Sequence, residues 1–166
     1  DERTLAARTP AVNRERGRET EFEEILGYHL EQAVRYRAEL GPLDASGREI
    51  ASRAATKLGS AGRRAFGRGD LPAAAHLLRR AVPLLEPDTT PRIELELDLA
   101  DVLLDDGNFS ESLELIEQGA AAAARLGDER LVRYAEVARD THTLFGTEEF
   151  ANSEAVISAT TASIEF

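Results

Sequence analysis

The side chains able to do chemistry are few and far apart. His29, His76 and His142 are more than forty residues from one another, and none has a His or carboxylate three or four positions away to complete a metal-binding helix pattern. His29 and His142 fall on apolar helical stripes, which favours packed, hydrogen-bonded imidazoles over ligands or catalysts. His76 is expected at the edge of its helix's buried face. The carboxylate pairs Asp105-Asp106 and Glu148-Glu149 are adjacent in the chain, and neighbours on a helix do not face each other, so they read as solvated helix ends rather than an acid and its base. No cysteine is present, which removes disulfides, thiolate metal sites and a cysteine nucleophile. No G-x-x-x-x-G-K-[ST] run exists to cradle a phosphate. Neither a cofactor nor a metal is expected.

The distribution of charge says more. The formal charge is −11, which argues against nucleic acid as a partner because no cationic excess exists to release counterions. From Glu94 to Glu117 nine acids occur without a Lys or Arg, whereas Arg63, Arg64, Arg68, Arg79 and Arg80 crowd the preceding stretch. Hydrophobic residues make up 42% and charged residues 31%, a composition that folds and supplies polar faces to amphipathic helices. No apolar run of about 18 residues is long enough to span a bilayer, and no signal-peptide pattern opens the chain, so a cytoplasmic setting is expected. Without a methionine, and ending inside an apolar pattern at Ile164-Glu165-Phe166, the chain reads as a segment of a longer protein.

These charges must be carried by helices. Residues 1–18, with Pro10 and Gly17 as breakers, are expected to be a linker or the end of an upstream domain, and 19–166 a helical domain truncated at its C-terminus. Phe22, Ile25, Leu26, His29, Leu30, Ala33, Tyr36 and Leu40 mark a first helical face, ended by Gly41-Pro42. Asp44 is placed to cap a second helix, whose Gly59, Gly62 and Gly67 imply close approach of a partner. Gly69-Asp70 turns into a third, with Pro72 in its first turn and Pro83 at its end. Thr90 is expected to cap a fourth. There the alternation from Ile93 to Leu99 suggests a strand, but the position in the repeat assigns a helix. A fifth stripe runs Phe109, Leu113, Ile116, Ala120, Ala123, Leu126, and a sixth Leu131, Ala135, Ala138, His142, Phe145. Asn152 or Ser153 would cap a seventh.

The turn Gly69-Asp70-Leu71 returns as Gly107-Asn108-Phe109, 38 residues on, close to the roughly 34 of a tetratricopeptide unit. In that register Gly62 matches Ala100, Ala65 Leu103, Ala74 Ser112 and Ala81 Gly119, which resemble the small and medium packing positions of tetratricopeptide (TPR) repeats. The fold predicted is all-α, with antiparallel helix pairs stacked as a short right-handed TPR-like α-solenoid of about seven helices.

The run from Glu23-Glu24-Ile25-Leu26-Gly27-Tyr28-His29-Leu30 to Gly41-Pro42 resembles the segment that opens the helical-repeat region of bacterial STAND-type signalling ATPases and multidomain adenylate/guanylate cyclases or transcriptional regulators. The resemblance implies a sensor or scaffold arm, regulating an enzyme elsewhere in a longer chain. In TPR arrays the first helices of successive pairs line the concave face. By that likeness Arg63, Phe66, Glu94, Leu97, Asp101 and Asp105 would form a groove for a protein or peptide with an apolar anchor and a basic flank, or for a neighbouring domain. Three other readings stay open: a solvated acidic face, a structural spacer or oligomerisation arm, and an enzyme using His29 or His142.

Overall fold

The computed structural model describes residues 9–145, with side chains from residue 23 onward. Among the described residues the chain is all-helical and without strands: α1 (Thr9–Leu40), α2 (Ala45–Phe66), α3 (Leu71–Ala81), a 3-10 turn (Val82–Leu84), α4 (Thr90–Asp105), α5 (Phe109–Leu126) and α6 (Glu129–Phe145). The helix expected after Asn152 lies outside the described residues. α1 is continuous across the boundary expected at Glu19: Pro10 sits in its first turn, where no N–H is needed, and Gly17 does not interrupt it. None of these helices is long and apolar enough to cross a membrane.

Three connections use one device. Gly69, Gly107 and Gly127 each adopt a left-handed φ, at 75°, 79° and 67°. The following N–H closes onto the carbonyl five residues back, Asp70 to Ala65, Asn108 to Leu103 and Asp128 to Ala123, which is the Schellman ending that satisfies the last helical carbonyls. Asp70 and Asp128 then cap the next helix through Oδ1, accepting from Ala73 N at 3.2 Å and Leu131 N at 3.1 Å. Asn108 instead donates from Nδ2 to Glu111 Oε2 at 2.7 Å. The start of α4 departs from expectation. Thr89, not Thr90, is its cap and makes no side-chain cap bond, because its hydroxyl donates to Glu86 O, while the Thr90 hydroxyl reaches Asp128 on the neighbouring turn.

α4 is the central helix, and its packing explains the misleading alternation. Leu95, Leu99, Val102 and Leu103 are buried with Leu58 and Ala61 of α2 and Leu77 and Leu78 of α3. Ile93 and Leu97 are buried on the other side, with Ala122 and Ala123 of α5 and Leu131 and Ala135 of α6. A helix held between two partners carries two apolar stripes, and here they interleave as every second residue from 93 to 99. The third strip is acidic: Glu94, Asp98, Asp101 and Asp105, spaced four, three and four.

The eight residues aligned by the 38-residue repeat, from Gly62 and Ala100 to Ala81 and Gly119, are all buried. α5 is rotated from its expected stripe: Leu113 and Leu126 are 39% and 43% exposed, and Ser112 and Gly119 take the inner positions. Small residues let α5 close on α4. A Cβ at Gly119 would lie 3.1 Å from Leu97 Cδ2, and the buried Ser112 hydroxyl donates to Ala100 O at 2.8 Å. Ser112→Ala is expected to cost about 1 kcal/mol, the ordinary net worth of one intramolecular hydrogen bond. Urea unfolding, with an unchanged slope, checks it.

α1 packs along α2 at Gly27, where a Cβ would stand 3.2 Å from Leu58 Cδ2. Polar pairs fix it there: Glu23 takes Lys57 Nζ at 2.9 Å and Arg64 at 2.7 Å, and Glu31 takes Arg80 of α3 through both of its oxygens.

Candidate functional site

The acidic strip of α4 is shared between its two neighbours. Glu94 pairs with Arg130 of α6. Asp98 pairs with Arg63 of α2, whose Nε donates to Oδ2 at 2.6 Å. Farther along, the arginines stop. The Tyr134 hydroxyl of α6 lies 3.1 Å from Asp98 Oδ1 and 3.0 Å from Asp101 Oδ2, and its single proton serves one carboxylate at a time. Asp105 is exposed one turn on, and among the described residues no cation pairs with Asp101 or Asp105.

This arrangement sets the electrostatics. Burial pushes the Asp101 carboxyl above its ordinary value, the charges of Asp98 and Asp105 push the same way, and the Tyr134 bond opposes them. Burial, then the two aspartates, raises the Tyr134 phenol far above its usual range, so it remains a neutral donor. Because the folded chain holds the Asp101 proton more tightly than the unfolded chain, its stability falls as pH rises from 3.8 through that raised value, and above it the penalty is complete. Asn at this position still offers Oδ1 to Tyr134 without the charge. Asp101→Asn is therefore expected to raise the thermal midpoint at neutral pH, with the difference vanishing in acid. Melts across a pH series check both parts.

Beside Asp101 opens a cleft of about 250 Å³ between three helices. α2 contributes Phe66, α4 contributes Asp101, Leu104 and Asp105, and α6 contributes Tyr134 and Val137. Of the six residues expected to form a groove, the structure brings Phe66, Asp101 and Asp105 together here. Arg63 lies one turn before Phe66, engaged with Asp98, and Glu94 is engaged with Arg130. Leu97 is corrected: it is 0% exposed and belongs to the α4–α5–α6 core, because position 97 falls on the second apolar stripe rather than the acidic one. Tyr134 and Val137 were missed. Their signal is the secondary stripe Arg130, Tyr134, Val137, Thr141 on the sixth helix, at spacings of four, three and four.

The histidines stand apart from this cluster. His29 is exposed, contrary to the packed position expected, because α1 turns Gly27, Leu30 and Val34 rather than His29 toward α2. His76 is exposed as well. His142 is part-buried, its Nε2 bonded to Phe109 O at 2.9 Å and its ring edge-on to that of Phe109. Of the carboxylate pairs, Asp105 and Asp106 are exposed at the end of α4, and Glu148-Glu149 lie outside the described residues. Among the described residues no three His, Cys, Asp or Glu side chains are grouped so as to hold a metal ion. The arrangement supplies a partly apolar cleft with uncompensated negative charge, which is the equipment for binding a cation-bearing chain. No protein-family model, curated protein or solved structure matches the sequence.

Proposed function

We propose that the chain is a non-enzymatic, TPR-like α-solenoid module that binds a protein or peptide segment across α2, α4 and α6. These are the first helices of three successive pairs, with the seventh helix of the solenoid expected beyond Gly146. The observation that carries this reading is the cleft beside Asp101, which those three helices line with Phe66, Leu104 and Val137 next to carboxylates that no cation among the described residues pairs with. The burial of all eight repeat-aligned positions and the matching hydrogen bonds at Gly69 and Gly107 support the repeat architecture. The resemblance to STAND-type proteins makes the module a sensor or scaffold arm, changing the state of an attached ATPase or cyclase through differential contacts.

Selection from a random peptide library against the full chain, followed by amide-shift mapping of the enriched peptides, tests the reading. Shifts on α2, α4 and α6 around the cleft support it, and enrichment that maps elsewhere, or none, overturns it. A structural or oligomerisation arm is the second reading, favoured by the exposed row Ile25, Tyr28, Tyr36 and Leu40 on α1. Light scattering over a concentration series tests that reading separately.

A further inference from the structure

We propose that the cleft takes an arginine of the partner segment, its guanidinium lying against the Phe66 ring and pairing with Asp101 and Asp105. This rests on the binding reading above and names the side chain that the site receives. The helices themselves supply the pattern. On α4 the acids Glu94 and Asp98 each have an arginine from a flanking helix, Arg130 from α6 and Arg63 from α2. One turn on from Arg63 in α2 stands Phe66, and one turn on from Asp98 in α4 stands Asp101. The two helices thus keep step, and at the step where a third arginine would face the strip the chain has an aromatic ring.

On the α6 side the corresponding positions hold Tyr134 and Val137. Asp101 therefore meets a hydroxyl that it shares with Asp98, a ring and an aliphatic wall, and Asp105 meets solvent. A guanidinium satisfies every part of this. Its face stacks on an aromatic ring, its edge donates to carboxylates in a planar fork, and its weak hydration suits a partly apolar cleft. Its arrival also frees the Tyr134 proton for Asp98. A lysine ammonium offers the charge without the fork or the stacking face. An apolar anchor alone would bury Asp101 further with no compensating partner.

The probe is acetyl-Leu-Ala-Arg-amide, with its citrulline and lysine counterparts, titrated into the full chain and followed by the amide shifts of Phe66, Leu104 and Val137. The arginine peptide is expected to bind ~10-fold or more tightly than the citrulline peptide, the difference expected of charge-assisted over neutral hydrogen bonds, with lysine between them. Asp101→Asn is expected to bring the arginine peptide down to the citrulline level, and Asp88→Asn, whose ion pair with Arg125 is remote from the cleft, to leave it unchanged. Equal affinity for the arginine and citrulline peptides overturns the arginine assignment and leaves the binding module standing. No cleft shift from any of the three overturns it too, and the module is then judged on the library selection, which presupposes no arginine.

Discussion

Leu97→Ala is expected to lower the unfolding free energy by about 2–5 kcal/mol, the range for truncating a fully buried leucine whose surroundings cannot collapse. Leu97 is 0% exposed and packs with Ala122, Ala123, Leu131 and Ala135. Three of those neighbours are alanines, with no side chain that can swing into the vacated volume, and Leu131 is itself fully buried and held by its own packing. Gly119 faces Leu97 Cδ2 without a Cβ of its own, and the Ser112 bond to Ala100 O holds α5 against α4. The cavity should therefore persist. Urea unfolding measures the loss, and a change under 1 kcal/mol would return Leu97 to an exposed groove position.

Gly62→Ala sets two rules against each other. Helix propensity alone makes it stabilising by about 1 kcal/mol. The packing opposes that gain: a Cβ at Gly62 would lie 2.8 Å from Leu78 Cγ and 3.4 Å from Ala74 O. Leu78 is fully buried, and the clashing atom is its branch point, which moves only with the backbone or with a strained rotamer. Overpacking of this kind costs roughly 1–3 kcal/mol, so the net expectation is destabilisation. Gly67 is the internal control. It has a helical φ of −61° and nothing closer than 3.5 Å to an added Cβ, so Gly67→Ala should stabilise by about 0.4–1 kcal/mol. A pair of thermal melts separates the two, and equal shifts of one sign would refute the close-approach account of Gly62.

These glycines show how far spacing alone reaches. Gly62 and Gly67 look alike in the sequence, and only the position of Leu78 tells a packing glycine from a helix-end glycine. The helices themselves were legible because each apolar face recurs at three and four and each turn carries its glycine or proline. α4 was harder to read, since two interleaved stripes imitate a strand until both partners are in place. Leu97 reads as part of the acidic strip because 94, 97, 101 and 105 also recur at three and four, and only its burial against Leu131 and Ala135 of α6 separates it from Asp98. Phe66, Asp101 and Asp105 were legible as neighbours because α2 and α4 keep the repeat's register. Tyr134 and Val137 were not, because they sit on a second, weaker stripe of α6. His29 is ambiguous in the sequence because α1 has apolar residues on two faces, Leu26, Leu30 and Val34 on one and Ile25, Tyr28 and Tyr36 on the other.

On the proposed reading, Asp101 is a half-buried carboxylate that no arginine among the described residues neutralises, with an expected cost in stability, and its role is to hold a cation from a partner. Asp98, one turn earlier, is the contrasting case, with Arg63 supplied from within. A residue kept for binding and a residue kept for folding respond oppositely to loss of charge. The direct measurement is the Asp101→Asn variant at neutral pH, its unfolding free energy and its affinity for acetyl-Leu-Ala-Arg-amide determined side by side with the parent chain. The variant should be more stable and bind more weakly. A variant that is less stable than the parent, or that binds the peptide as well as the parent does, would contradict the account.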